Sequence, residues 1–209
     1  MKIIKPSYVI VDDLNPKAMM ERIERAGRTC YKSEGNICEG SAEKFISNII
    51  KRGHESVIEH EKITVRFICD RGVTHELVRH RIASYSQEST RYCNYSNDKF
   101  GNELTFIKPC FWEESTESGK AMYKVWERSM QNIENEYNKL MELGAKPEEA
   151  RSILPNSLKT EIVVTMNLRS WRNFFRLRTD IKAHPQIREI ACALLEELKE
   201  KLPVLFGDL

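Results

Sequence analysis

The sequence predicts an α+β protein: a single domain over residues 1–209, in which a few-stranded, mostly antiparallel sheet is flanked by long helices. Three observations predict it. Apolar residues recur at helical spacing between recognisable caps over long stretches, above all Thr116 to Gly144 and Pro185 to Lys201. Two segments, Lys62 to Cys69 and Glu161 to Met166, carry strand patterns instead. The composition is ordinary for a globular chain, 41% hydrophobic with nine glycines and seven prolines, and no repeat, low-complexity tract or linker divides it.

Taken in order, Asn15 caps a first helix, Pro16 occupies its first position and Gly27 is the expected stop. Residues 28–40 read as loop. Ser41 caps a second helix, with Phe45, Ile46, Ile49 and Ile50 on one face and Gly53 at its end, leaving His54-Glu55-Ser56 in an exposed turn. In Lys62 to Cys69, Ile63, Val65 and Phe67 alternate with Thr64, Arg66 and Ile68. Asp70 and Gly72 punctuate the chain, and a helix is expected from Val73 to about Arg81, pairing His75 with Arg79 and Glu76 with His80 one turn apart. Ser84 to Asn97 reads as a polar loop. The Thr116–Gly144 helix carries Met122, Val125, Trp126, Ile133, Tyr137, Leu140 and Met141, a stripe suited to a core or a subunit contact. Pro147 opens a short helix that holds Arg151 and stops at Leu154-Pro155. Glu161 to Met166 is a buried strand, Asn167 to Arg178 a helix, and Pro185 to Lys201 the last one.

Lys and Arg total 33 against 31 Asp and Glu, a net charge of +2, which gives no global attraction to nucleic acid or to a membrane surface. The first residues lack a signal-like apolar run and no later stretch could span a bilayer, so a soluble, cytoplasmic protein is expected. Cys30, Cys38, Cys69, Cys93, Cys110 and Cys192 contain no Cys-x-x-Cys pair and read as reduced thiols. Four of the five histidines, His54, His60, His75 and His80, fall close together, but their spacings do not form a helical ligand pair with a third ligand, and no metal is expected. Neither a dinucleotide-binding glycine fingerprint, a phosphate-binding P-loop nor a Gly-x-Ser-x-Gly elbow is present. Any nucleotide must therefore be held by side chains.

Two clusters offer to do so. Arg79, His80, Arg81, Ser84, Ser86, Gln87, Glu88, Ser89, Arg91 and Tyr92 mix guanidinium forks with short hydroxyl donors, a combination suited to phosphate. Asn167, Arg169, Arg172, Asn173, Arg176 and Arg178 follow the second strand, with Arg169, Asn173 and Arg176 near one helical face.

These residues resemble one family, the flavin-dependent thymidylate synthases. Arg79-His80-Arg81-Ile82-Ala83-Ser84 with the following Ser89-Thr90-Arg91 is similar to its Arg-His-Arg-x-x-Ser signature. Gly53 to His60 resembles its His-rich turn, Ala150 to Pro155 its Ala-Arg-x-x-Leu-Pro element, and Asn167-Leu168-Arg169-Ser170 with Asn173 and Arg178 its C-terminal element. The resemblance covers nearly the whole chain. It implies that Ser56, Arg79, His80, Arg81, Gln87, Asn167, Leu168, Arg169 and Asn173 contact FAD. It implies that Glu76, Leu77, Val78, Arg79, Gln87, Glu88, Ser89, Thr90, Arg91, Arg151 and Arg178 hold dUMP, with Arg178 as the activating residue against the uracil. It further implies methylenetetrahydrofolate as carbon donor, NADPH as reductant, and a homotetramer with shared active sites, to which the long helix, Trp112, Trp126 and Trp171 would supply interface. Two positions depart from the family pattern: Ser86-Gln87 where Asn-Glu is frequent, and Lys182 where His is frequent. Pro109-Cys110 is followed by Phe111 rather than by the His of the ordinary thymidylate synthases, so no cysteine nucleophile is expected. The competing readings are a single-stranded nucleic-acid-binding module using the Arg-Tyr-rich loop, and a zinc hydrolase using the histidines.

Overall fold

A computed structural model describes residues 1–93, 95 and 103–209. In chain order its elements are β1 (Lys2–Ile4), β2 (Ser7–Ile10), α1 (Pro16–Thr29), α2 (Ser41–Lys51), β3 (Lys62–Asp70), α3 (Arg71–Leu77) and β4 (Ser84–Gln87). There follow β5 (Thr105–Ile107), α4 (Glu117–Glu142), α5 (Pro147–Ala150), β6 (Lys159–Asn167), α6 (Leu168–Arg178), α7 (Pro185–Lys201) and α8 (Pro203–Phe206). One sheet has the strand order β2-β3-β6-β4 and β1 pairs in parallel with β5. The α+β class is as the sequence predicts.

Most predicted elements form for the predicted reasons. The Asn15 carboxamide accepts the Ala18 N–H at 3.0 Å, and Gly53 follows α2 at φ 71°, the left-handed turn a glycine permits. In β3 and β6 every second side chain is buried, including Ile63, Val65 and Phe67, and Ile162, Val164 and Met166.

Four elements differ. Gly27 does not stop α1, which continues to Thr29; it lies buried within the helix because a Cβ there would overlap Phe45 and Val57. Gly40, not Ser41, is the cap of α2, and the Ser41 hydroxyl instead accepts Cys38 N–H at 3.1 Å and lies 2.7 Å from the Glu24 carboxylate. The helix expected over 73–81 is α3, displaced toward the N-terminus, because the Asp70 carboxylate caps it by accepting Val73 N–H at 2.7 Å. Arg79 to Arg81 thus lie outside it, and His75/Arg79 and Glu76/His80 are not helical neighbours. The expected loop from Ser84 begins as β4, because the alternation of exposed Ser84 and Ser86 with inward Tyr85 and Gln87 suits a strand beside β6; its positions 94, 96 and 97 lie outside the described residues.

The chain divides into two compact units. The first comprises residues 1–7, 67–78 and 86–162, with Tyr95, Leu104, Phe106, Met130, Tyr137, Ala150 and Leu158 as a core. Trp126, Ile133, Leu140 and Met141 of α4 pack on it, while Met122 and Val125 are exposed. The second comprises residues 8–66, 79–85 and 163–209. Its core holds the contacting rings of Trp171, Phe174, Phe175 and Phe206. Trp171 is fully buried and donates to Ile63 O at 2.9 Å, so it serves the core of its own chain rather than an interface. Among the described residues no helix is long and apolar enough to cross a membrane.

Candidate functional site

In the second unit, α6 and the segment after α3 line a cleft of about 740 Å³. Asn167 caps α6 by accepting Ser170 N–H at 2.8 Å, and the helical repeat then delivers Arg169, Asn173 and Arg176 to the cleft wall, with Arg178 on the last turn. Arg79, His80, Arg81 and Ile82 face them across the opening. Five arginines and two glutamates, Glu55 and Glu59, line this cleft.

The arginines fall into two groups. Arg176 bonds Glu55 at 2.6 Å and Arg169 bonds Glu59 at 2.6 Å. Glu55 is further bonded by Arg172 at 3.1 Å, and the hydrogen bond from Arg176 holds its carboxyl below the usual carboxylate range. Arg172 itself is fully buried and does not line the cleft; it grips Asp208 with two bonds of 2.6 Å and donates to Leu205 O, tying the end of the chain to α6. Arg79 and Arg81, by contrast, are exposed and have no ion-pair or hydrogen-bond partner among the described residues.

Arg178 Nε donates to His80 Nε2 at 3.0 Å. Burial, then the adjacent Arg178 charge, depress the His80 pKa to about 4, so the imidazole is neutral at physiological pH. Its ring meets Phe174 edge-on at 5.1 Å, and its carbonyl accepts the Tyr85 hydroxyl at 2.6 Å.

The first unit holds a different arrangement. Gln87 donates to Thr74 at 3.1 Å and to Thr160 at 3.4 Å. Glu88 accepts the Tyr95 hydroxyl at 2.7 Å and Lys159 at 3.0 Å, and Lys159 also reaches Glu161 at 2.8 Å. Burial would lower the Lys159 pKa, but its bonds to Glu161 and Glu88 outweigh this and raise it. From Ser89 the chain turns, Cys93 N bonding Ser89 O at 3.0 Å. Arg151, in the short 3-10 helix after α5, donates to Thr90 at 3.5 Å. Arg91 lies over the Tyr92 ring. In the same unit, one Arg71 nitrogen is buried without a hydrogen-bond partner among the described residues, a donor not predicted from the sequence because a single arginine at a helix start carries no pattern.

The family profile described as thymidylate synthase complementing protein matches residues 13–204. The chain belongs to this family, the flavin-dependent thymidylate synthases. The flavin-dependent thymidylate synthase of Pyrococcus furiosus is 39% identical over 176 residues, 84% of this chain and 70% of that protein. The one from Geobacter sulfurreducens is 36% identical over 190 residues, 88% of this chain and 78% of that protein. In fold, the chain resembles the crystal structure of a UMP/dUMP methylase, PolB, from Streptomyces cacaoi bound with 5-Br dUMP, with a TM-score of 0.82, 21% identity and coverage of 99% of this chain and 96% of that one.

As a flavin-dependent thymidylate synthase, the chain gathers Arg79, His80, Arg81, Arg169, Asn173 and Arg178 in one cleft. Ser56 is exposed on the 3-10 helix Glu55–His60 and does not line it. Asn167 spends its carbonyl on the α6 cap, and the Leu168 and Leu77 side chains are fully buried, which limits those two leucines to backbone contacts. Gln87, Glu88, Ser89, Thr90, Arg91 and Arg151 gather in the first unit, with Glu76 half-buried and Val78 exposed at the end of α3. The sequence reading missed Glu55 and Glu59 of the cleft, whose signal was present in their spacing with the arginines of α6 only once the fold joined them.

Proposed function

We propose that this protein is a flavin-dependent thymidylate synthase that converts dUMP to dTMP in the cytoplasm, with FAD as its flavin, methylenetetrahydrofolate as carbon donor and NADPH as reductant. The observation that carries the proposal is the cleft that Arg79 and Arg81, without ion-pair or hydrogen-bond partners among the described residues, share with Arg178, which is bonded to His80. Unpaired cations beside hydroxyl and amide donors suit a diphosphate-bearing cofactor. The donor set thus fits FAD: Arg79 and Arg81 would meet its phosphates, and Asn173 and Ser170 supply neutral donors along the same wall.

Bound at this cleft, the flavin would supply the redox chemistry that completes the new methyl group. The chain's own contribution is binding and charge. Arg178, permanently protonated, stabilises negative charge on the uracil ring and activates it without a covalent enzyme adduct. Arg151, Ser89 and Arg91 would hold the dUMP phosphate, and Glu76, Gln87 and Glu88 shape the turn that presents them. The name of the Streptomyces relative, a UMP/dUMP methylase, supports this choice of nucleotide. Cys110 is exposed and plays no part. The chain works as one catalytic domain in a homotetramer whose subunits share active sites.

The test is direct. Purified protein should be yellow, release FAD on denaturation, and form dTMP from dUMP only with methylenetetrahydrofolate and NADPH present. A colourless protein carrying zinc or nucleic acid would sink the proposal.

A further inference from the structure

We infer that His80 is a positioning residue for Arg178: as a neutral imidazole it accepts the Arg178 Nε–H and fixes the guanidinium for activation of the uracil. The inference rests on the synthase reading of Arg178.

Arg178 ends α6, so its long side chain begins where the helix no longer confines it. An arginine left free there would sample many rotamers, and ordering it on each turnover would cost entropy. The His80 bond removes that freedom. It uses Nε, so the lock itself occupies neither of the two terminal nitrogens that form the fork for a ligand. A ring nitrogen that receives a donor at 3.0 Å must be unprotonated, which places the proton of the neutral ring on Nδ1.

His80 is itself immobilised from two sides. Phe174, fully buried, meets the ring edge-on, and Tyr85 fixes the backbone carbonyl. Burial and the Arg178 charge both oppose protonation, which would replace the acceptor with a second cation. Phe174, His80 and Arg178 therefore form a chain from the hydrophobic core to the cleft, with Tyr85 bracing the His80 backbone.

The test compares two variants. Phenylalanine in His80→Phe keeps the ring against Phe174 and removes the acceptor; glutamine in His80→Gln places an amide oxygen near the Nε2 position. His80→Phe should retain FAD and lose about 100-fold in kcat, the cost of a misplaced catalytic group, with a smaller change in KM for dUMP. His80→Gln should recover most of kcat. Nitrogen-15 spectra of the enzyme without substrate should show a slowly exchanging Arg178 Nε–H in the wild type and in His80→Gln, and a fast-exchanging one in His80→Phe. Wild-type activity in His80→Phe, no rescue by His80→Gln, or loss of FAD together with activity would each overturn the inference. Absence of dTMP formation by the wild type would overturn the synthase reading, while the Nε–H signal would still decide whether the lock exists.

Discussion

In the cleft of the second unit, Arg79 and Arg81 have no ion-pair or hydrogen-bond partner among the described residues, whereas in the first unit every side chain from Gln87 to Arg91 already makes a hydrogen bond. The two regions draw on similar residue types and distribute their hydrogen bonds differently. An unpaired cation stores interaction that only a ligand can realise, so the cleft is where binding adds most electrostatic energy. A satisfied network stores shape, because each bond restricts a rotamer before any ligand arrives. Arg172 and Arg79 show that the distinction runs through single residue types: one guanidinium is buried between Asp208 and Glu55, the other is exposed and open.

The sharpest way to break this comparison is Arg178→Ala. Loss of the group that stabilises uracil charge should lower dTMP formation by about 1000-fold while FAD stays bound, measured by single-turnover assay and flavin absorbance. Retained synthase activity would refute its role. Next comes the contrast between two arginines. Arg172→Ala removes a fully buried side chain together with its bonds to Asp208, Glu55 and Leu205 O, and should destabilise the fold by about 2–5 kcal/mol in urea titration. Arg79→Ala should change stability by no more than about 0.5 kcal/mol yet weaken FAD binding roughly tenfold or more, seen by flavin fluorescence. If both lost stability equally, the division into structural and ligand-facing arginines would fail.

A smaller effect is expected from pH. His80 has an ordinary pKa of 6.5 when unfolded and about 4 when folded, so between these values the unfolded chain binds the additional proton. Stability from this group is therefore complete above pH 6.5 and is lost as pH falls toward 4. Allowing for partial solvent exposure, the loss is on the order of 1–2 kcal/mol. Wild type should accordingly lose more stability than His80→Gln from pH 7 to 4.5; equal losses would remove the depressed pKa. Cys110→Ala should have the least effect, leaving kcat unchanged, and a large loss would reinstate a cysteine in the mechanism.

Helices with apolar stripes and caps were legible in the sequence because their determinants lie within one element, as Asn15 and Pro16 do for α1 and Thr116 for α4. Strands β1, β2, β4 and β5 were not, since three or four residues carry too little period and are fixed by distant partners, as Lys2 is by Thr105. The same divide holds at the site. The polar residues of α6 that share a face were predictable from helical geometry, and Arg169, Asn173 and Arg176 do line the cleft together. That Arg172 would be structural was hidden, because its partners Glu55 and Asp208 lie 117 and 36 residues away.

The pairing of β1 with β5 and the alternation of segments between the two units have a consequence for how the protein is made and cut. Each unit is assembled from three separate stretches, and the first cannot close its β1–β5 ladder until residue 107 has been synthesised. The second waits for residues beyond 163. Neither unit is a continuous fragment of the chain, so a truncation at any boundary between residues 66 and 86 would remove parts of both at once.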